Sequence, residues 1–230
     1  MWNRQQVKEQ AKQIMKRNYW KMFVVTLIAS ILTGEKTTII ERVQDFTSNN
    51  LSYDSQPIVY SSNFQLIFYS FISVASILGI LYTIFIGNVI VVGKNGYFIK
   101  NHNENPELSE IFKGFKGNYL NVVKIMFLMD LKTLLWLLLF IVPGLIKAYE
   151  YSMIPYLLAE NPNLSASEAF SMSKQMTTGQ KMDLFVLDLS FLGWIILGLI
   201  CCGIGILFVL PYPQATRAEV YLILKESVKI

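Results

Sequence analysis

What this chain has little of narrows its function quickly. It holds one histidine in 230 residues, two cysteines, and only 16% charged residues. His102 sits in the polar stretch 102–105, and no H-E-x-x-H, G-x-S-x-G or P-loop pattern occurs. A Ser-His pair would have to use that single loop histidine, so nucleophilic hydrolysis finds no support. Cys201 and Cys202 are adjacent within an apolar run, without the C-x-x-C or longer spacings of redox and metal sites. Small buried residues are the plainer reading of that pair. No basic stripe with interleaved aromatics suggests nucleic acid. We therefore expect a non-enzymatic protein with no metal and no cofactor.

What is present is apolar sequence. Hydrophobic residues make up 53%, mean hydropathy is +0.41, and runs such as 134–146 and 194–210 lack the polar interruptions of a soluble amphipathic helix. Net charge is +4, with Lys and Arg near the ends of the apolar runs, as contact with anionic lipid head groups requires. Residues 1–17 form their own element. Trp2, Val7, Ala11, Ile14 and Met15 share one helical face, while Arg4, Lys8, Lys12, Lys16 and Arg17 populate the rest. That pattern predicts a basic amphipathic helix lying on a membrane surface. The apolar stretch 22–33 follows it without a small-residue cleavage site and reads as a retained anchor.

A short internal repeat organises the remainder. Residues 104–109 and 160–165 both read E-N-P-x-L-S, and each opens a short amphipathic helix after an apolar stretch. In the first copy Leu108, Ile111, Phe112 and Phe115 form the apolar face. In the second, Ser165 and Glu168 form a capping box and Gly179 closes the helix. Asn118 and Tyr119 then start an apolar segment, just as Asn18 and Tyr19 do. The sequence thus predicts an all-α, polytopic membrane helical bundle. It has six transmembrane helices as three hairpin units, each preceded by a cytoplasmic amphipathic helix. The single integral domain, 1–230, comprises a surface helix at 1–17 and spans at about 19–34, 64–93, 119–143, 144–160, 183–201 and 205–225, with an external loop at 35–62. On this plan fourteen Lys and Arg lie on the cytoplasmic side and only Lys36 and Arg42 outside, so both termini are expected in the cytoplasm.

Several segments resemble a known family. Pro143-Gly-Leu-Ile-Lys147-Ala-Tyr149-Glu-Tyr151-Ser-Met153, then Ala-Glu-Asn-Pro162 and Leu164-Ser-Ala-Ser-Glu168-Ala, carry the likeness. So do Leu187-Asp188-Leu-Ser-Phe-Leu-Gly-Trp194, and Gly203-Ile-Gly205 followed by Pro211-Tyr212. They are similar to the bacterial integral membrane proteins grouped as domain of unknown function nine-seven-five, most densely from residue 143 to 221. Glu150, Glu219 and the Cys201–Cys202 pair depart from the family pattern. The resemblance implies a bacterial cytoplasmic membrane and this architecture, and it implies no activity.

Ionisable residues inside the spans are the functional lead, because each costs about 2.5–3.5 kcal/mol or more at the bilayer centre unless paired or wet. They are Asp130, Lys132, Lys147, Glu150, Asp188, Arg217 and Glu219. Depth along the helices pairs Glu150 with Lys132, at roughly 9 and 16 Å from the external end. An Asp188–Arg217 bond would join the last two spans, and Asp130 has only Lys132 or Lys147 within reach. These charges either fix packing as ion pairs or line a polar pathway or pocket. Pro143 with Gly144, and Pro211 with Pro213, mark helix breaks or kinks. Two functions remain open. One is a protein that assembles with or regulates other envelope components, with a membrane protein partner. The other is a small transporter or a lipid or peptide handler that uses the intramembrane polar residues.

Overall fold

The computed structural model describes residues 3–33, 62–200 and 204–228, and every element within them is helical. Trp2, Cys201, Cys202 and the expected external loop lie outside the described residues. Helix α1 (Arg4–Thr33) joins the basic amphipathic segment to the first apolar one. Asn18 divides them, with non-helical φ −134° and ψ 25°. Its side-chain amide donates to Asn101 Oδ1 at 2.8 Å and to Asn105 Oδ1, so side-chain bonds replace what the helix gives up there. The boundary falls where the sequence placed it. The basic half does not simply float on lipid, however, because Val7 and Ala11 are fully buried in the protein core.

Next comes one rod made of α2 (Ser62–Tyr82), a π-helical turn (Thr83–Gly87) and α3 (Asn88–Lys100). Its two ends differ in character. Every described side chain from Tyr69 to Tyr82 is exposed, whereas nine of the thirteen residues of α3 are buried. Among the described residues one stretch, Tyr69–Lys100, is long and apolar enough to cross a membrane. It counts 32 residues, about 48 Å at ~1.5 Å per residue, against a hydrocarbon layer of ~30 Å. The sequence ended this span at residue 93, with Lys94 just beyond it on the cytoplasmic side. The helix continues to Lys100, and Lys94 within it is only 5% exposed.

The other apolar segments form helices with more charge. Helix α4 (Tyr119–Leu139) carries Lys124, Asp130 and Lys132, and α8 (Lys181–Ile200) carries Lys181, Asp183 and Asp188. Between α4 and α5 (Ile141–Tyr151) the chain turns at Phe140, which is extended at φ −154°, ψ 140°. The break therefore precedes Pro143, which sits in the first turn of α5, where a helix needs no donor from it. Gly144 lets the two arms close: a Cβ there would come within 2.7 Å of Leu137 Cα. The expected fourth span is bent rather than continuous, since α5 ends at Tyr151 and α6 (Ile154–Glu160) starts again with Pro155 in its first turn. Pro211 and Pro213 likewise separate α9 (Ile204–Val209) from α10 (Pro211–Val228).

Helix α3 is the hub, packed by α1, α4, α6, α10 and a 3-10 helix (Leu108–Phe115). Gly93 permits the closest of these contacts, because any Cβ on it would overlap the Ile111 carbonyl. The first repeat copy, expected as a short amphipathic helix, is a tight 3-10 helix at this contact. Of its apolar face Ile111 is buried, while Leu108, Phe112 and Phe115 stay exposed. The second copy behaves as the sequence predicts. Helix α7 (Ala166–Thr177) begins with a capping box in which Ser165 N–H donates to Glu168 Oε2 at 2.9 Å and Glu168 N–H donates to Ser165 Oγ at 3.3 Å. It is followed by Gly179 at φ 79°.

The two copies thus share letters but not cap geometry, since Ser109 lies inside the 3-10 helix. Ser165→Ala should cost about 1 kcal/mol of stability. Ser109→Ala should cost markedly less, as compared by thermal unfolding of the detergent-solubilised variants.

Candidate functional site

A cavity of about 720 Å³ lies between α3, α4, α5, α6, α8 and α10. Its charged and amide lining comes from Lys94, Asn95, Asp130, Asp188, Gln214 and Arg217, and Thr133, Tyr151, Ser152 and Tyr156 add hydroxyl-bearing side chains. Its apolar lining follows from the same helices, one or two turns further along. Leu134 and Leu137 succeed Asp130 on α4, Phe191 and Ile195 succeed Asp188 on α8, and Leu210 precedes Gln214 at the α9–α10 break. On α4, α8 and α10 the lining thus runs from polar to apolar toward the hairpin turn. Around the α4–α5 turn the large apolar side chains are uncovered, including Leu138, Ile141 and Val142, each more than 60% exposed. Soluble monomers rarely leave so much apolar surface open.

Specific bonds hold the polar end. Arg217 bridges to Asp188 through Nε, 3.1 Å from Oδ1, and through Nη2 to Oδ2. Tyr149 Oη donates to the same Asp188 Oδ2 at 2.9 Å, so α5, α8 and α10 meet at one carboxylate. The Asp188–Arg217 bond expected from the sequence is present. Asp130 has a different partner from either one expected: Asn88 Nδ2 donates to Asp130 Oδ2 at 2.7 Å, tying α4 to the start of α3.

One expected pair is not formed. Glu150 does not meet Lys132. It bonds Lys147 Nζ at 2.8 Å, one turn back on its own helix, and Lys181 Nζ at 2.6 Å at the start of α8. Two cations at hand leave no need for a third, and Lys132 instead lies 3.8 Å from the Phe170 ring centre as a cation–π contact. Glu219 is buried midway along α10 against His102 Nδ1, 2.8 Å away. Lys132, Lys147, Glu150 and Glu219 therefore serve other contacts and do not line the cavity. Of the seven charges singled out, it brings together Asp130, Asp188 and Arg217. Pro213 lines it as well, beside the helix break. Among the described residues no three of His, Cys, Asp and Glu come together in a way that could hold a metal ion.

Lys94, Asn95, Asn88 and Gln214 escaped notice in the sequence. One signal was available, because Asn88 and Asn95 recur at a seven-residue spacing in an otherwise apolar helix and so share a face.

The matched region can now be placed on this geometry. Residues 137–227 match the model of a family described as Protein of unknown function (DUF975). The resemblance read from residues 143 to 221 is borne out over that stretch. The DUF975 match contains the whole Tyr149–Asp188–Arg217 junction, while Lys94 and Asp130 on the opposite wall lie outside it. No curated protein and no solved structure gives a significant match.

The junction is open enough for solvent to weaken it, with Asp188 and Arg217 side chains 28% and 39% exposed. Asp188→Asn and Arg217→Gln should each cost about 1–2 kcal/mol, and the double variant less than their sum. Thermal unfolding of the three proteins measures this, and strictly additive losses would show the pair to be uncoupled.

Proposed function

We propose that the chain is a multi-pass protein of the bacterial cytoplasmic membrane that binds an amphiphile, with a polar head and an apolar chain, and performs no chemistry on it. The observation that carries this reading is the cavity, whose lining on α4, α8 and α10 changes from charged to apolar, toward the uncovered α4–α5 turn on α4. Its volume lies in the ordinary range for ligand sites, about 300–1,000 Å³.

The six apolar segments form three hairpins whose feet share the cytoplasmic side with both termini. This arrangement is supported by bonds among the feet. Arg17 donates to the Asn101 carbonyl at 2.8 Å, and Asn121 donates to the carbonyls of Pro162 and Leu164 at 2.9 and 2.7 Å. Glu160 accepts from Tyr221 and Lys225, each at 2.6 Å. Each E-N-P-x-L-S segment is thus gripped by the foot of the apolar segment in the preceding unit.

Depth favours a shallower second and third hairpin than six full crossings require. Asp130 is held at Asn88, where the burial of α3 begins, and Phe140 lies only about 15 Å further along α4. Lys8 Nζ donates to Ser190 Oγ at 2.6 Å, which leaves about 15 Å of α8 to its end at Ile200. A full crossing would drag Lys8 into hydrocarbon. On this reading the rod crosses the bilayer, and the other two hairpins enter and return.

A second reading keeps the same placement. Helix α2 is exposed along its described length, which offers a surface to a membrane protein partner and suits a component that assembles with or regulates others in the envelope.

Titration of the purified protein with fluorescent single-chain amphiphiles tests the first reading. Saturable binding is expected, weakened at least about tenfold when Ala148→Trp fills the cavity it lines. Binding unchanged by Ala148→Trp would place the ligand elsewhere and leave the assembly role as the better account.

A further inference from the structure

A second groove, of about 460 Å³, lies on a different face of the protein between the basic half of α1 and the last hairpin. Lys12, Lys16 and Tyr19 supply one side, and Trp194, Phe208 and Tyr212 the other. Tyr19 closes its end by donating from Oη to the Phe208 carbonyl at 3.1 Å, and Phe23 stacks on Phe208 with ring centres 5.0 Å apart. Trp194 and Phe208 nevertheless remain 50% and 45% exposed, so the aromatic wall is built but uncovered.

The charge on the rim is one-sided. Lys12 and Lys16 stand one turn apart on the same helix and form no ion pair with any described residue. No acidic side chain lines the groove. Of the carboxylates on the packed helices α8 and α10, Asp188 is held by Arg217 and Glu219 by His102, and Asp183 and Glu226 lie outside the groove's lining. Glu9, on the same helix as the two lysines, is exposed and makes no ion pair with a described residue. One turn back, Lys8 rests 4.7 Å from the Phe191 ring centre, and burial, then Lys12 and Arg4, hold its ammonium below the usual lysine range. Cations that crowd each other beside an aromatic wall lack their counter-ion.

We propose that this groove is a binding site for one anionic phospholipid, with Lys12 and Lys16 on its phosphate and an acyl chain along Trp194 and Phe208. A free anion would leave the aromatic wall bare, and an apolar molecule would leave the lysines unpaired, so a lipid that is both satisfies each half. The site differs from a general attraction of basic helices to acidic membranes in having a fixed wall on α8 and α9. It rests on the membrane placement proposed above and not on what the central cavity holds.

The fluorescence of Trp194 reads the site directly. In the full chain carrying Trp2→Phe, Trp20→Phe and Trp136→Phe, Trp194 is the sole emitter. Reconstituted in phosphatidylcholine vesicles, it should be quenched by acyl-brominated phosphatidylglycerol at about tenfold lower mole fraction than by acyl-brominated phosphatidylcholine. Lys12→Gln with Lys16→Gln should abolish that preference while helical content and unfolding temperature hold. Unbrominated phosphatidylglycerol should relieve the quenching, and inorganic phosphate should not. A matching protein with Trp136 as sole emitter, at the other hairpin, should show no preference. Equal quenching of Trp194 by both lipids, a preference that survives the lysine substitutions, or relief by phosphate alone would overturn the proposal. Quenching by neither lipid would overturn the membrane placement beneath it, which separates the two failures.

Discussion

A continuous apolar rod about one and a half times as long as a bilayer's hydrocarbon is thick must put part of itself elsewhere. The rod from α2 to α3 does so by burying its second part in protein, and most of the fold follows from that burial. A helix carrying Asn88, Lys94 and Asn95 needs polar neighbours as well as apolar ones. Asn88 takes Asp130 of α4, and Gly93 admits the 3-10 helix to backbone contact. The π-helical turn at Thr83–Gly87 falls at the changeover from exposed to buried. There Tyr119, the first residue of α4, donates to the Phe85 carbonyl at 2.7 Å. Tyr19, at the first residue of the first apolar segment, makes the matching bond to Phe208 beside the α9–α10 break. Irregular backbone and a tyrosine that answers its carbonyl therefore occur together twice.

Charge in such a protein is affordable where partners stand ready. Asp188 meets Arg217 and Tyr149, Glu150 meets two lysines, and Glu160 meets Tyr221 and Lys225. These pairs join elements far apart in sequence and set the packed part of the molecule. The described tip between α4 and α5 carries no ion pair among the described residues and presents Leu138, Phe140 and Ile141 outward. The central cavity lies where the two regimes meet, which is why it suits a molecule with the same division.

Local chemistry was legible in the sequence; depth was not. The capping box at Ser165, the close at Gly179, the kink at Asn18 and the Asp188–Arg217 bond all follow from patterns within a turn or two, or from simple helix arithmetic. The Glu150–Lys132 pairing failed because it assumed that two helices run straight and full length, whereas α5 ends at Tyr151 and Lys147 is nearer on the same helix. The helix runs past the expected boundary at residue 93, because a lysine after an apolar run usually marks its end whereas Lys94 is buried within α3. The repeat announced two short helices, and the one in contact with Gly93 is 3-10.

Depth is accordingly what most needs measuring. Cysteines placed singly at Phe140 and Ser171, both exposed, on a background without Cys201 and Cys202, report it in intact cells and inverted vesicles through a membrane-impermeant maleimide. The account predicts that Ser171→Cys reacts only from the cytoplasmic side and that Phe140→Cys reacts from neither side until detergent is added. Reaction of Phe140→Cys from outside intact cells would contradict it and restore six complete crossings.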